Sequence, residues 1–317
     1  MSLLQNSDLH FRLIGNALDH REAALLQAIS ESSDRLQFIN LESKNIIPHG
    51  TLVDIMLQTE EASLFSFCDS DLFLFAPLTE QSLLAEMAGY DVLSSGGRIE
   101  NENTSTYAGF KGGATTVSPD GQIALATSFF CIYQRALLQQ TLSQYQVGFE
   151  QYRSAQQIPQ QARVVVEQLA LEYEMFDTGK LLSVLLHQQG GVQKYLDIPG
   201  LTHIGGMSGR YLLQLDMSQP VVIDDAELGP AVTTSEQEFN VRNDYEKALK
   251  KCYGKYYFCY LNHLLGKNPA PRWQPANPVV RDTIERLSAG IDAVIERLDE
   301  HPECQHIWSL VRAGTTA

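Results

Sequence analysis

The chain has 317 residues, 44% of them apolar, and carries 38 acidic against 23 basic side chains for a formal charge of −15. That length and apolar content support one large folded domain, or a domain with an addition, and exclude a disordered polymer. The negative charge argues against a general binder of nucleic acid or anionic membranes, so a phosphorylated ligand would need a metal or a local cluster of donors.

The opening MSLLQNSDLHFR lacks the basic and apolar segments of a leader, and no apolar run approaches the length of a membrane span. The expectation is therefore a cytoplasmic protein without a transmembrane segment. HFRLIG (10–15) reads as a strand ending in a turn at Asn16, and DHREAALLQAI (19–29) has helical apolar spacing. LQFIN (36–40) reads as a strand, GTLVDIMLQ (50–58) as a helix entered through the turn IIPHG, and SLFSFC (63–68) as an apolar strand delivering Asp69 and Asp71 at its end. Strands alternating with helices predict an α/β fold with a largely parallel sheet covered by helices on both faces. In such sheets ligands gather at the carboxyl ends of the strands, where these two aspartates lie.

SSGGRIENENTSTYAGFKGGATTVSPDG (94–121) is too long and polar for an ordinary connection and reads as a functional loop or lid. TSFFCIYQRALLQQTL (127–142) passes from strand to helix, the segment beyond FDTG within 162–190 is strongly helical, and LTHIGGMSGRY (201–211) reads as a glycine-rich loop. From about residue 235 the pattern is helical, broken by NPAPRWQPANP (268–278). This divides the chain into residues 1–225 and a helical C-terminal region, 226–317. The aromatic run YGKYYFCYLNHLL (253–265) has the spacing of core packing. The cysteines, Cys68, Cys131, Cys252, Cys259 and Cys304, are odd in number and widely spaced, which predicts free buried thiols.

Four side chains carry chemistry. Asp69 and Asp71 sit in an otherwise apolar run, and burying a carboxylate is costly unless a charge or a cation compensates it. Two apart on a strand, they would point the same way with Cα atoms roughly 6.5 Å apart, able to converge on one cation. The plainer alternative is an aspartate capping the next turn beside an exposed one. His203, in HIGGMSG, offers an imidazole suited to manganese or a similar ion beside glycines that permit close backbone approach, or is a loop histidine making one hydrogen bond. Asp177, ahead of a helix in YEMFDTGKLL, is either an N-cap or a carboxylate placed to take a proton, with Glu174 the nearest substitute.

The order of these pieces resembles a GT-A glycosyltransferase of the large family-2-like branch: a β–α–β–α lead-in, a strand ending in DSD, a glycine-rich stretch, TSFFCIYQRALL, FDTG and HIGG. The resemblance covers roughly residues 10–210. It implies a Rossmann-like GT-A domain and a hexosyltransferase-type enzyme. Such an enzyme moves a sugar from a nucleotide-diphosphate donor to the hydroxyl of a glycan or lipid-linked glycan acceptor, in glycan assembly. By the resemblance, Asp69, Asp71 and His203 would hold Mn²⁺ or Mg²⁺, and Asp69, Asn16, Gly205 and Gly206 would line the donor site. Asp177 would act as the base of an inverting reaction. Peripheral membrane contact, and a homo-oligomer through the helical C-terminal region, are compatible with this reading. Members of the family usually begin with a strand of the type V-x-V-x-I-P-x-Y-N, whereas HFRLIGNALD already resembles the second strand. A non-catalytic GT-A domain binding sugar nucleotides or a partner is therefore the alternative. A haloacid-dehalogenase-like phosphatase also uses D-x-D at a strand end, but Phe73 stands where that pattern needs a small β-branched residue.

Overall fold

The computed structural model describes residues 1–95, 126, 129–169, 176–207, 210–228 and 239–314, which form a mixed α/β fold. A short helix α1 (Ser2–Asn6) precedes β1 (Phe11–Gly15), and the predicted alternation follows as α2 (His20–Ser30), β2 (Leu36–Asn40), α3 (His49–Thr59) and β3 (Leu64–Cys68). Local chemistry starts α2: Asp19 accepts from the Arg21 and Glu22 N–H groups, and Glu22 accepts from the Asp19 N–H. Helix α3 has no side-chain cap and follows Pro48.

Next come β4 (Leu72–Leu74), α4 (Glu80–Met87), β5 (Val92–Ser95), β6 (Phe130–Gln134), α5 (Arg135–Tyr145), α6 (Gln160–Gln168) and α7 (Lys180–Gln188). The chain continues through β7 (Gln193–Tyr195), β8 (Leu201–His203), β9 (Val222–Ile223), α8 (Phe239–Leu264), β10 (Arg272–Trp273), α9 (Pro278–Glu296) and α10 (Pro302–Gly314). Of the predicted lid, Ser94 and Ser95 close β5, and the rest lies outside the described residues. The segment 201–211 is not all loop, because its first three residues form β8.

The sheets correct the expectation of a largely parallel arrangement. The four-stranded sheet runs β3-β6-β5-β7, and β6 lies antiparallel to both of its neighbours, leaving β5–β7 as the parallel pair. The β1–β2 ladder is parallel but separate, and β4 pairs antiparallel with β8. The reason is visible in the register. Apolar β6 enters between β3 and β5, with Cys68 opposite Phe130 and Val92 opposite Tyr133, and it enters reversed.

Four apolar clusters hold these elements. The first joins α3, β3, β5 and β6 to α5–α7 around Tyr133, Phe149 and Phe176. The second joins α8, α9 and Trp273 to Ile204 and Ile223, and the third joins β4 and β8 to α4 around Leu74 and Leu93. The fourth packs Leu4 against Leu298, Cys304 and Ile307. The aromatic run in α8 is core, as its spacing predicts: Tyr253 and Tyr257 are fully buried.

The second and fourth clusters both draw residues from the two sides of position 225, the expected boundary. Polar bonds tie the same surfaces together. Gln5 donates to the Val294 carbonyl at 2.8 Å, Arg297 donates to Asn6 Oδ1 at 3.1 Å, and Arg35 is paired with Glu303. The cysteines are free as expected, four of them buried and Cys68 half-buried. Burial pushes the Cys68 and Cys131 thiols up to about 12, which leaves them unreactive. Among the described residues no helix is long and apolar enough to cross a membrane.

Candidate metal centre

Asp69 and Asp71 do not lie on a strand. They occupy the turn where the chain leaves β3, paired with β6, and enters β4, paired with β8. The Asp69 N–H donates to the Phe129 carbonyl at 2.8 Å and the Ile204 N–H donates to the Asp71 carbonyl at 3.2 Å, so each aspartate is anchored to a different sheet. Convergence therefore comes from a switch between sheets and not from strand periodicity. The same turn explains how two carboxylates tolerate an apolar run: their side chains are 23% and 14% exposed, at the edge of the core.

His203 ends β8 directly opposite Leu72, the residue after Asp71. Its Nε2 lies 3.0 Å from Asp71 Oδ1 and 3.3 Å from Asp69 Oδ2. The ring is only 4% exposed and stacks on Phe129 with centroids 4.0 Å apart and planes 16° off parallel. One ligand atom from each of Asp69, Asp71 and His203 lies within 4.8 Å of the others, the one such group of metal-ligating side chains among the described residues.

Electrostatics separate the two carboxyls. Burial raises Asp69 above the ordinary value, more than His203, His49 and Lys250 lower it. Burial also acts on Asp71, but the hydrogen bond and charge of His203, the residue's own N–H and Lys250 outweigh it and hold that carboxyl below the ordinary range. The group fits a divalent cation. Two hard oxygen donors and one imidazole are the ligand types that such ions take. His203 Nδ1 is buried without a hydrogen-bond partner among the described residues. If the proton sits on Nδ1, the Nε2 lone pair faces two carboxylates, an unfavourable arrangement that a cation between them would relieve.

Gly205 and Gly206 follow His203 with φ of 72° and 71°, left-handed values that glycine adopts readily. Helix α8 closes on this loop: the Gly206 carbonyl accepts from Tyr211 Oη at 2.8 Å, and a Cβ on Gly254 would stand 2.9 Å from the same oxygen. Burial, with Cys252 and Asp71, pushes the Tyr211 hydroxyl up to about 12, so it stays a neutral donor.

The structure thus brings together Asp69, Asp71, His203 and the Gly205–Gly206 loop, and it places the other two candidates differently. Asn16 follows β1 and commits both halves of its amide to Ile47, donating to the carbonyl and accepting from the N–H, each at 2.9 Å. Asp177 is not the N-cap of α7; that position belongs to Gly179. Its Oδ1 accepts from the Thr178 N–H at 2.9 Å and from the Gln151 amide. A Cβ on Gly179 would stand 3.4 Å from Phe149, whose ring meets Phe67 edge-on at 5.3 Å, two residues before Asp69. Glu174 lies outside the described residues.

Two neighbours of the centre are not among the residues that the sequence nominates. His49, the first residue of α3, places Nε2 3.6 Å from Asp69 Oδ1, on the opposite oxygen from His203. Lys250 of α8 reaches the centre through its electrostatic influence on both aspartates. A histidine in a turn before a helix was the available hint for the first; one lysine among several on a helix gave none for the second. The chain matches no protein-family model, and no curated protein matches it.

Proposed function

We propose that the protein is a metal-dependent glycosyltransferase of GT-A type, moving a sugar from a nucleotide-diphosphate donor to an acceptor hydroxyl. The observation that carries this reading is the convergence of Asp69, Asp71 and His203 within 4.8 Å at the turn joining two sheets. Those three side chains would hold Mn²⁺ or Mg²⁺, which when bound stabilises charge on a departing diphosphate. The left-handed turn at Gly205–Gly206 directly follows His203, and its backbone would lie beside the diphosphate. Asp177 accepts the proton of the acceptor hydroxyl as that oxygen bonds to the anomeric carbon and the bond to the nucleoside diphosphate breaks, with inversion. The contact of Gly179 with Phe149, and of Phe149 with Phe67, supports placing the Asp177 loop on the side of the aspartates. One observation favours binding without transfer as a second reading: Asp177 Oδ1 is already engaged by Gln151 and Thr178.

The test is thermal shift with UDP-, GDP- and dTDP-sugars, with and without Mn²⁺, on wild type and Asp71→Ala. Stabilisation by one nucleotide class that needs Mn²⁺ and disappears in Asp71→Ala supports the reading. Folded wild type that no sugar nucleotide stabilises overturns it. Metal-dependent binding with no turnover against any acceptor or water selects the second reading.

A further inference from the structure

Lys250 is half-buried on α8, and its side chain makes no hydrogen bond or ion pair among the described residues. A Cβ on Gly205 would stand 3.2 Å from Lys250 Cε and 3.4 Å from His203 Cε1. The end of the lysine stem and the imidazole facing both aspartates therefore flank the same bare glycine. A Cβ on Gly206 would stand 3.1 Å from the Lys250 carbonyl, so the backbone of α8 at Lys250 is in contact with the glycine loop. The lysine's charge acts on both carboxylates of the centre, lowering each of them.

The charge count then depends on the cation. Without one, the two carboxylates compensate Lys250. With a divalent ion on Asp69, Asp71 and His203, the carboxylates are neutralised by the ion, and the ammonium is left as an uncompensated positive charge beside it. We infer that Lys250 binds an anionic oxygen of the donor's diphosphate next to the cation, so that helix α8 of the C-terminal region completes the donor site. The inference rests on the nucleotide-sugar reading above and deepens it. An ammonium is a compact, strongly hydrated point charge that suits a phosphate oxygen without demanding a planar partner. The site then gathers a cation, an ammonium and a side-chain-free loop, in a chain whose overall charge of −15 repels anions elsewhere.

Isothermal titration calorimetry on full-length wild type, Lys250→Met and Lys250→Arg tests it, with circular dichroism verifying the fold and Lys250→Gln substituting should Lys250→Met unfold. Titrants are Mn²⁺ alone, then UDP, GDP and pyrophosphate at saturating Mn²⁺. In Lys250→Met, Mn²⁺ should bind as in wild type or up to about threefold tighter, because a like charge has gone. The diphosphates should bind about tenfold more weakly or worse, and Lys250→Arg should recover most of the loss. A merely structural lysine would move both affinities the same way, so a parallel loss of Mn²⁺ and diphosphate overturns the inference, as does unchanged diphosphate binding. Lys250-dependent pyrophosphate binding without any gain from a nucleoside upholds the inference and sinks the nucleotide-sugar reading. Failure of Mn²⁺-loaded wild type to bind any of the three anions overturns both.

Discussion

Replacing Gly50 by alanine tests whether α3 is seated as closely as the structure places it. In an open helix the change gains about 0.5–1 kcal/mol, because glycine loses more backbone freedom on folding. Here the new Cβ would stand 2.4 Å from the Phe149 carbonyl oxygen and 2.6 Å from both the N and Cα of Glu150. All three are backbone atoms, so no side chain can rotate away. Ordinary contact needs about 3.5–4 Å, and α3 must shift against residues 146–150 by roughly 1 Å. Overpacking of this kind costs about 1–3 kcal/mol. The same interface carries the bonds from the Phe149 N–H to Asp54, at 3.1 and 3.2 Å, and stretching them costs about 1 kcal/mol more. The net expectation for Gly50→Ala is a loss of about 2 kcal/mol, read as a lower urea midpoint with an unchanged slope. A variant as stable as wild type, or more so, would refute the close seating of α3 and with it the placement of His49 beside Asp69.

Asp54 supplies a pH test on the same interface. Burial, against the Phe149 N–H and with help from Glu150, pushes its carboxyl from 3.8 up to about 6. A raised carboxyl favours the folded state only while protonated, so its contribution is full below about pH 4 and is lost as pH rises through 6. The rise corresponds to about 3 kcal/mol, and partial exposure reduces it to about 1–2 kcal/mol. Asp54→Asn should be more stable than wild type by that amount at pH 8 and close to it at pH 4 in urea titrations; an equal offset at both refutes the assignment. Asn16→Ala should lose about 1–3 kcal/mol through the two Ile47 backbone groups it leaves unbonded, and Asn16→Asp, which keeps the acceptor alone, should fall between, by thermal unfolding. Asp71→Asn should weaken Mn²⁺ binding at least about tenfold by calorimetry while the protein stays folded, since one of two charged ligands becomes neutral.

Much of the first half of the fold was legible because its signals are local. The alternation from β1 to β3 follows from period-2 and period-3.6 patterns with turn residues between them, and the Asp19–Glu22 cap marks the start of α2 in four consecutive letters. The break between α8 and α9 was legible for the same reason: Asn277 caps α9 through the Val279 N–H, with Pro278 in the first turn. Asp69, Asp71 and His203 could be nominated by residue type, since carboxylates within an apolar run need compensation wherever they fold.

Other features depended on partners far away in sequence. The direction of β6 was not legible, because an apolar strand pairs as readily either way until its neighbours are set. Strand β4 went unrecognised: LFL is three residues long and becomes a strand only by pairing with β8. A cap was one of two readings open to Asp177 by its position before α7, yet Gly179, with φ of 74°, turns the chain into the helix instead.

The residue types alone thus determined that the carboxylates at 69 and 71 must be solvated, hydrogen-bonded or paired, because ionic charge and hydrogen-bonding valence belong to each side chain. Which partners they have was decided only by the closed chain. His203 arrives through a strand ladder, His49 through the seating of α3, and Lys250 through a helix packed on two glycines. Electrostatic coupling depends on separation in space, and between segments this far apart in sequence that separation is set by how the cores pack.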